Sequence, residues 1–284
     1  MKNQTITEEM IFAFKEVLLN EERSTATIQK YIRDVRAFAA FVGTQVLGKE
    51  VVIQYKRILI EKYAPASVNS MLAAINRFLK EFGYYDCTVK ALRIQRQAFR
   101  STERELSKAE YFRLLEAAKK KKANWLFMLM QTICATGIRV SELQFITVEA
   151  VKSGSAVVSL KGKTRQVLIP AALCKELKRY AKSRGIHRGS IFVTRSGNAL
   201  YRSNILHAMK ALCKEAGVEK RKVFPHNLRH LFACLYYKAS RDISRLADLL
   251  GHSSINTTRI YTSVSGSEQQ RQIERLGLVI KNTA

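Results

Sequence analysis

The apolar periodicity of this chain stops once and starts again. Across Arg93 to Leu106, RIQRQAFRSTEREL, polar and basic residues follow one another with no sustained repeat. Ser107-Lys108-Ala109-Glu110 then reads as a capping box that opens a new helix. A break of that kind separates cores, so two parts are expected: residues 1–92, a linker over 93–106, and residues 107–284.

In the first part the spacing of apolar residues predicts helices near Glu8 to Leu19, Thr25 to Val42, Lys49 to Glu61 and Ala66 to Glu81. Gly43, Gly48, Pro65 and Gly83 supply turn chemistry at their ends. Tyr31, Val35, Phe38 and Phe41 share one apolar face, and Lys30, Arg33 and Arg36 lie largely off it. Those three cations either face solvent or track a phosphate backbone.

The second part also reads as mostly helical, with segments at Leu173 to Arg184, Ser203 to Ala216, His226 to Ala239, Ile243 to Leu250 and Ser254 to Tyr261. Its exception is a β-hairpin signal: Ala156 to Leu160 and Arg165 to Ile169, joined by a four-residue turn, Lys161-Gly162-Lys163-Thr164. Phe145 to Val148 carries a weak third-strand pattern. The fold class is therefore mainly α, an N-terminal helical domain plus an α-rich domain with a small β-hairpin.

Charge narrows the function. With 49 Lys and Arg against 23 Asp and Glu, the 284-residue chain carries a formal net charge of +26. Such an excess points to a polyanionic partner, nucleic acid ahead of an anionic membrane surface. The most apolar stretch, Trp125 to Ile138, is too short and interrupted to span a bilayer. The start, MKNQTITEEM, is polar where a secretory leader needs an apolar run. Five scattered cysteines with no Cys-x-x-Cys pair suggest neither a disulfide framework nor a zinc ribbon, so a reducing cytoplasm is expected.

Chemistry gathers around PHNLRHLFA, Pro225 to Ala233. His226 and His230 have a zinc-binding spacing, but the metalloprotease pattern needs Glu where Asn227 stands. From Val223 to Val264 the only carboxylates are Asp242 and Asp248, too few for a site that gathers divalent cations. A phosphate suits the cluster better. Arg229 offers a permanently charged planar fork, and His226, one turn earlier, can reach the same oxygens.

Three other segments fit that phosphate. ATGIRVSEL, Ala135 to Leu143, presents Arg139 after a glycine turn, with Glu142 three residues on. LKGKTRQVLIP, Leu160 to Pro170, places Lys161 and Lys163 in a hairpin turn, with Arg165 beyond. LGHSSINTTRIYTSV, Leu250 to Val264, gives His252 after a glycine stop and Tyr261 nine residues later. A phenol with a pKa of about 10 is idle as a nucleophile until its proton is removed or its anion is stabilised.

Taken in order, ATGIRVSEL, LKGKTR, HNLRH, LGH and Tyr261 resemble the tyrosine recombinase (phage integrase) family. The resemblance covers the whole second part, and the N-terminal helices are similar to the family's core-binding domain. It implies that Arg139 and Arg229 clamp the scissile phosphate and that His226 and His252 hydrogen-bond its oxygens, with His226 also a proton acceptor. Tyr261 would attack the phosphorus to form a 3′-phosphotyrosyl bond, and Lys161 would protonate the departing 5′-oxygen. Glu142 would support the Arg139 region, and His230 would be structural. The family commonly has Gly before the hairpin lysine where this chain has Leu160, so Lys163 stands as the alternative acid. DNA-backbone contacts are expected from Lys30, Arg33, Arg36, Lys163 and Arg165.

The resemblance also implies double-stranded DNA with inverted half-sites, a homotetramer on that DNA, accessory proteins as possible partners, and neither metal nor other cofactor. No Walker-type loop is present, in keeping with ATP-independent chemistry. A chain of this length is not expected to carry an additional arm-binding domain. The apolar tail residues Ile273, Leu276, Leu278, Val279 and Ile280 would join neighbouring subunits. The alternatives are a type IB topoisomerase-like strand transferase and a catalytically inactive DNA-binding regulator.

Overall fold

The computed structural model describes residues 5–94, 104–160, 162–261, 270–271, 274–276 and 278, the side chain of Lys163 excepted. It divides into two compact units, residues 1–96 and 97–284. Most of the expected linker, residues 95–103, lies outside the described residues, as do Lys161, Ile273, Val279 and Ile280.

The first unit is built from α1 (Glu8–Asn20), α2 (Thr25–Val42), α3 (Lys49–Lys62) and α4 (Pro65–Glu81). Thr7 and Ser24 cap α1 and α2 by accepting from the amides of Met10 and Thr27, both at 3.3 Å. Helix α2 serves two apolar clusters. Val35 joins Phe14, Leu18 and Phe78, while Phe38 joins Val52, Leu59, Leu72 and Leu79. Asp34 is buried, and it pairs with two of the expected DNA-facing cations, of which Arg33 keeps 71% of its side chain exposed. Lys30 Nζ lies 2.6 Å from one carboxylate oxygen and Arg33 Nη2 lies 3.1 Å from the other. Arg36 pairs with Glu8 at 3.2 Å on the surface.

The second unit opens with α5 (Lys108–Lys120), and its capping box is formed as the sequence predicts. Ser107 Oγ accepts from the Glu110 amide at 3.1 Å and Glu110 Oε2 from the Ser107 amide at 2.8 Å. Helix α6 (Asn124–Thr136) is apolar on nearly every side and runs through the core, burying Leu126, Leu129, Met130 and Ile133. Around it pack α5, α8 (Ala171–Ser183), α9 (Arg202–Lys210) and α11 (Pro225–Ser240).

Three local expectations are corrected. The hairpin strands are β1 (Ser155–Leu160) and β2 (Lys163–Leu168), paired from Ser155↔Leu168 to Leu160↔Lys163. The ladder therefore closes over two residues rather than four, with Gly162 at φ 71° taking the left-handed conformation a two-residue turn demands. Phe145 to Val148 forms no strand. Val140–Phe145 coils into a 3₁₀ turn, and Thr147 spends its hydroxyl capping α7 (Val148–Ser153), leaving one bridge to Ser190. Ser203 to Ala216 is not one helix but α9 and the short α10 (Cys213–Ala216), interrupted at residues 211–212.

Two glycines shape the surroundings of α11. Gly137 ends α6 at φ 66°, and Gly251 ends α12 (Ile243–Leu250) at φ 63°. Both left-handed caps leave helix-terminal carbonyls pointing toward α11.

Candidate active site

Arg229 is the centre of the site. It lies on α11 and is only 1% exposed, an unusual place for a permanent charge. The two glycine-capped helix ends make that burial tolerable. Nη1 donates to the Gly137 carbonyl at 2.6 Å, and Nη2 donates to the Leu250 carbonyl at 2.7 Å. Both carbonyls carry the negative end of a helix. Nη2 also donates to His252 Nε2 at 3.1 Å. One Nη1 hydrogen and the Nε hydrogen are not taken up by the described residues, leaving donors for an incoming oxygen.

Burial, and then the charge of Arg139, pull the Arg229 pKa down to about 10, so it stays protonated at neutral pH. His252 is likewise disfavoured as a cation. Burial, then Arg229 and Arg139, push its pKa down to about 4. Because Nε2 accepts from an arginine, Nδ1 carries the proton and donates to Thr258 Oγ1 at 2.9 Å. Thr258 is buried in α13 (Ile255–Thr258), and this partner was not singled out by the sequence. His226 sits in the first turn of α11, its pKa lowered by burial and by Arg229, Arg139 and Arg202. A neutral imidazole there is free to accept a proton.

Arg139 opens the 3₁₀ turn that follows Gly137, and Glu142 holds it. The Arg139 amide donates to Glu142 Oε2 at 2.8 Å and its Nη1 to Oε1 at 2.9 Å. Burial works against the Glu142 carboxylate, yet the Arg139 amide and the charges of Arg165 and Arg139 hold its pKa below the usual range. Arg165 was expected to face DNA. Its guanidinium instead turns inward, with Nη2 2.7 Å from Glu142 Oε2 and Nη1 on the Leu249 carbonyl. The physical reason is strand parity, because Arg165 pairs with the buried Val158 and shares the inward face of β2 with Val167.

Tyr261 is 4% exposed at the end of the 3₁₀ turn Arg259–Tyr261. Its ring centroid lies 5.0 Å from that of His230 and 6.2 Å from that of His252, stacked on the latter at 15°. It is near enough for its charge to influence Arg229. The sequence-derived set Arg139, His226, Arg229, His252 and Tyr261 thus converges, with Glu142 beneath it. Lys161 lies outside the described residues, and Lys163 is placed by its backbone alone, at the start of β2. Lys30, Arg33 and Arg36 belong to the first unit.

One cation of the site was missed. Arg202, at the start of α9, lines a cavity of ≈ 280 Å³ together with Arg139, His226 and Arg229. It belongs to no motif and a long segment separates it from His226, so no local signal marked it. Among the described residues no three His, Cys, Asp or Glu side chains gather in a metal-holding group. The arrangement suits an anion: cations converge, and the nearby carboxylate is already committed to two arginines.

This fold and this cluster define a tyrosine recombinase. A model of the phage integrase family matches residues 104–268, and the chain belongs to that family. It is 26% identical to tyrosine recombinase XerA of Pyrococcus furiosus over 98% of each chain. It is 34% identical to tyrosine recombinase XerH of Campylobacter jejuni over 48% of this chain and 40% of that one. The crystal structure of a XerA recombinase, 26% identical, aligns over 97% of this chain and 100% of that one with a TM-score of 0.53. The same fold is found in a XerH recombinase bound to its difH substrate, 20% identical over 95% and 85% of the two chains, with a TM-score of 0.70. No described helix is long and apolar enough to cross a membrane.

Proposed function

We propose that this chain is a site-specific DNA recombinase that breaks and rejoins strands through a 3′-phosphotyrosyl intermediate, with neither metal nor ATP. The observation that carries the reading is the buried Arg229, seated on two helix-end carbonyls with two N–H groups left over by the described residues, beside Tyr261, His252 and Arg139. The Tyr261 oxygen attacks the scissile phosphorus and the bond to the 5′-oxygen breaks. The phenol proton passes to neutral His226, and the departing oxygen takes a proton from Lys161, or from Lys163 as the alternative. Arg139 and Arg229 neutralise charge that builds on the non-bridging oxygens. Removing one such donor costs on the order of 3 kcal/mol, or about a hundredfold or more in rate. The intermediate preserves the energy of the phosphodiester, so rejoining needs no external energy source.

His252 would meet the phosphate in a changed state. Its Nε2 now accepts from Arg229. An incoming phosphate supplies the negative charge that the two arginines lack, allowing Nε2 to become a donor.

The DNA is a duplex with inverted half-sites, and the working assembly is a homotetramer joined through the C-terminal tail, acting in the cytoplasm with accessory proteins as further partners. The tetramer on DNA is supported by fold alone, since a lambda integrase of the same fold, 18% identical with a TM-score of 0.73, is seen as a tetramer bound to a Holliday junction. The test is a nicked suicide duplex carrying the cleavage site. Wild-type protein should be trapped as a covalent adduct in denaturing gels, and Tyr261→Phe should bind the duplex without forming it. Undiminished adduct in Tyr261→Phe would overturn the assignment.

A further inference from the structure

Arg165 ties together three segments that the proposed chemistry needs in register. It projects from β2, the strand that follows Gly162, one residue beyond Lys161 in the sequence. Its Nη2 shares Glu142 Oε2 with the backbone amide of Arg139. Its Nη1 binds the carbonyl of Leu249, next to the Leu250 carbonyl that seats Arg229. The stem of the side chain is pressed against Gly251. A Cβ built on that glycine would lie 2.3 Å from Arg165 Cδ and 2.7 Å from Nε. The absence of a side chain at Gly251 is therefore what lets Arg165 lie where it does, immediately before His252.

This geometry is demanding. Arg165 is 13% exposed at its side chain, and its Nε is buried without an acceptor because it faces the Gly251 backbone carbon. Such an unsatisfied donor is costly in a low-dielectric setting. A residue serving only to grip DNA would remain outside, hydrated and mobile. One serving only to fill the core would be apolar.

We propose that Arg165 is a positioning residue that registers the β1–β2 hairpin against both arms of the phosphate clamp, the Arg139–Glu142 turn and the C-terminal end of α12 at Leu249–His252. The guanidinium fork is suited to this because its planar donors address two acceptors at a fixed angle. Lysine at the same place would reach one of them. The inference rests on the proposed strand cleavage, in which the hairpin delivers the proton to the leaving oxygen.

The test compares Arg165→Met and Arg165→Lys with wild type on two nicked duplexes, one ordinary and one with a bridging 5′-sulfur at the scissile phosphate. In the sulfur duplex the P–S bond breaks and the thiolate departs without needing a proton. Wild-type protein is assayed first; failure to form an adduct on either duplex would sink the cleavage reading itself. With adduct established, Arg165→Met should slow cleavage of the ordinary duplex by about a hundredfold, the scale of a misplaced catalytic group. It should recover most of that loss on the sulfur duplex, and Arg165→Lys should fall between. Half-site binding should stay near wild type. Wild-type cleavage of the ordinary duplex by Arg165→Met overturns the proposal. So does equal impairment on both duplexes, which would restrict Arg165 to the clamp or the fold. If the methionine variant does not fold, the lysine variant is judged by the same two rates.

Discussion

Arg229 donates to Nε2 of His252 across 3.1 Å, and this single bond fixes the histidine as a neutral Nδ1–H tautomer bound to Thr258. Neutrality here has a consequence for folding. In the unfolded chain the imidazole takes up a proton near its ordinary value of 6.5, whereas in the folded protein burial and two arginines delay this to about 4. The unfolded state therefore binds more protons between those values, and stability is lost as pH falls from about 6.5 to about 4. His226 is shifted in the same direction and adds to the slope. Melting curves of wild type and His252→Gln from pH 7 to pH 4 should converge on acidification, because glutamine has no proton to gain. Parallel curves would show that the Arg229–His252 contact does not govern the titration.

Gly137 is predicted to tolerate no side chain. At φ 66° an alanine carries backbone strain of about 1–2 kcal/mol. Its Cβ would also meet Phe232 Cδ1 at 2.4 Å and Cε1 at 2.6 Å. Relief requires displacing the Phe232 ring of α11 or the Gly137 backbone itself, and the Gly137 carbonyl is one of the two seats of Arg229. Gly154 has φ 78° but nothing within 4 Å of a built Cβ. Gly137→Ala should thus lose both melting temperature and adduct formation, while Gly154→Ala should lose melting temperature alone, by the strain contribution. Equal effects of the two substitutions on adduct yield would remove the Gly137 seat from the mechanism.

Arg202 should behave as a phosphate contact. It faces the cavity shared by Arg139, His226 and Arg229 and depresses His226. Arg202→Ala should weaken DNA binding across sequences and reduce the slope of log affinity against log salt by about 1. It should also let the His226 pKa rise, moving the acidic limb of the cleavage profile upward. Unchanged salt slope and unchanged acidic limb together would place Arg202 outside the contact.

How these features stood in the sequence differs from one to the next. Helices α1 to α4 were readable because their apolar residues recur at helical spacing and their ends carry Gly43, Gly48, Pro65 and Gly83; the caps Thr7 and Ser24 emerged only from the structure. Arg139, Arg229 and His252 were readable because each adjoins a glycine stop or a distinctive run. The destinations of the cations were not. In a chain of charge +26 every arginine looks outward, yet one buried carboxylate captures two cations at each of two places: Asp34 takes Lys30 and Arg33, and Glu142 takes Arg139 and Arg165. Asp34 is local to its partners, whereas Glu142 and Arg165 are separated by the whole of α7 and β1 and meet only in three dimensions. The inward aim of Arg165 did have a trace, since residues 165, 167 and 169 share strand parity and two of them are apolar. The break between α9 and α10 left none, because Ala211 and Leu212 are good helix formers overruled by packing.

Cleavage should not depend on divalent metal. On the proposed reading the charge on the phosphate would be met by Arg139 and Arg229, and the described residues form no group of three His, Cys, Asp or Glu able to hold an ion. Adduct yield should be the same in EDTA as in magnesium at matched ionic strength. Rising salt should depress it steeply, because phosphate contacts release counterions. Loss of adduct in chelator, restored by magnesium or zinc, would replace the arginine clamp with a metal mechanism.

The C-terminal tail should matter to the assembly and not to the single chain. Leu276 and Leu278 are 63% and 83% exposed. Large aliphatic side chains so placed contribute little to the fold that displays them, but burial in a neighbouring subunit would stabilise by about 25 cal/mol per Å² of apolar area. Truncation before Gln269 removes both, together with Ile273, Val279 and Ile280, and leaves Arg139, Lys161, His226, Arg229, His252 and Tyr261 in place. The truncated chain should melt near the wild-type temperature and bind an isolated half-site with similar affinity. On a duplex with two half-sites it should fail to form the slower-migrating multimeric complexes, and recombinant products should disappear while cleavage of a nicked half-site persists. A truncated chain that still assembles and recombines would move the subunit contact elsewhere. One that melts early would instead show the tail packed on its own domain.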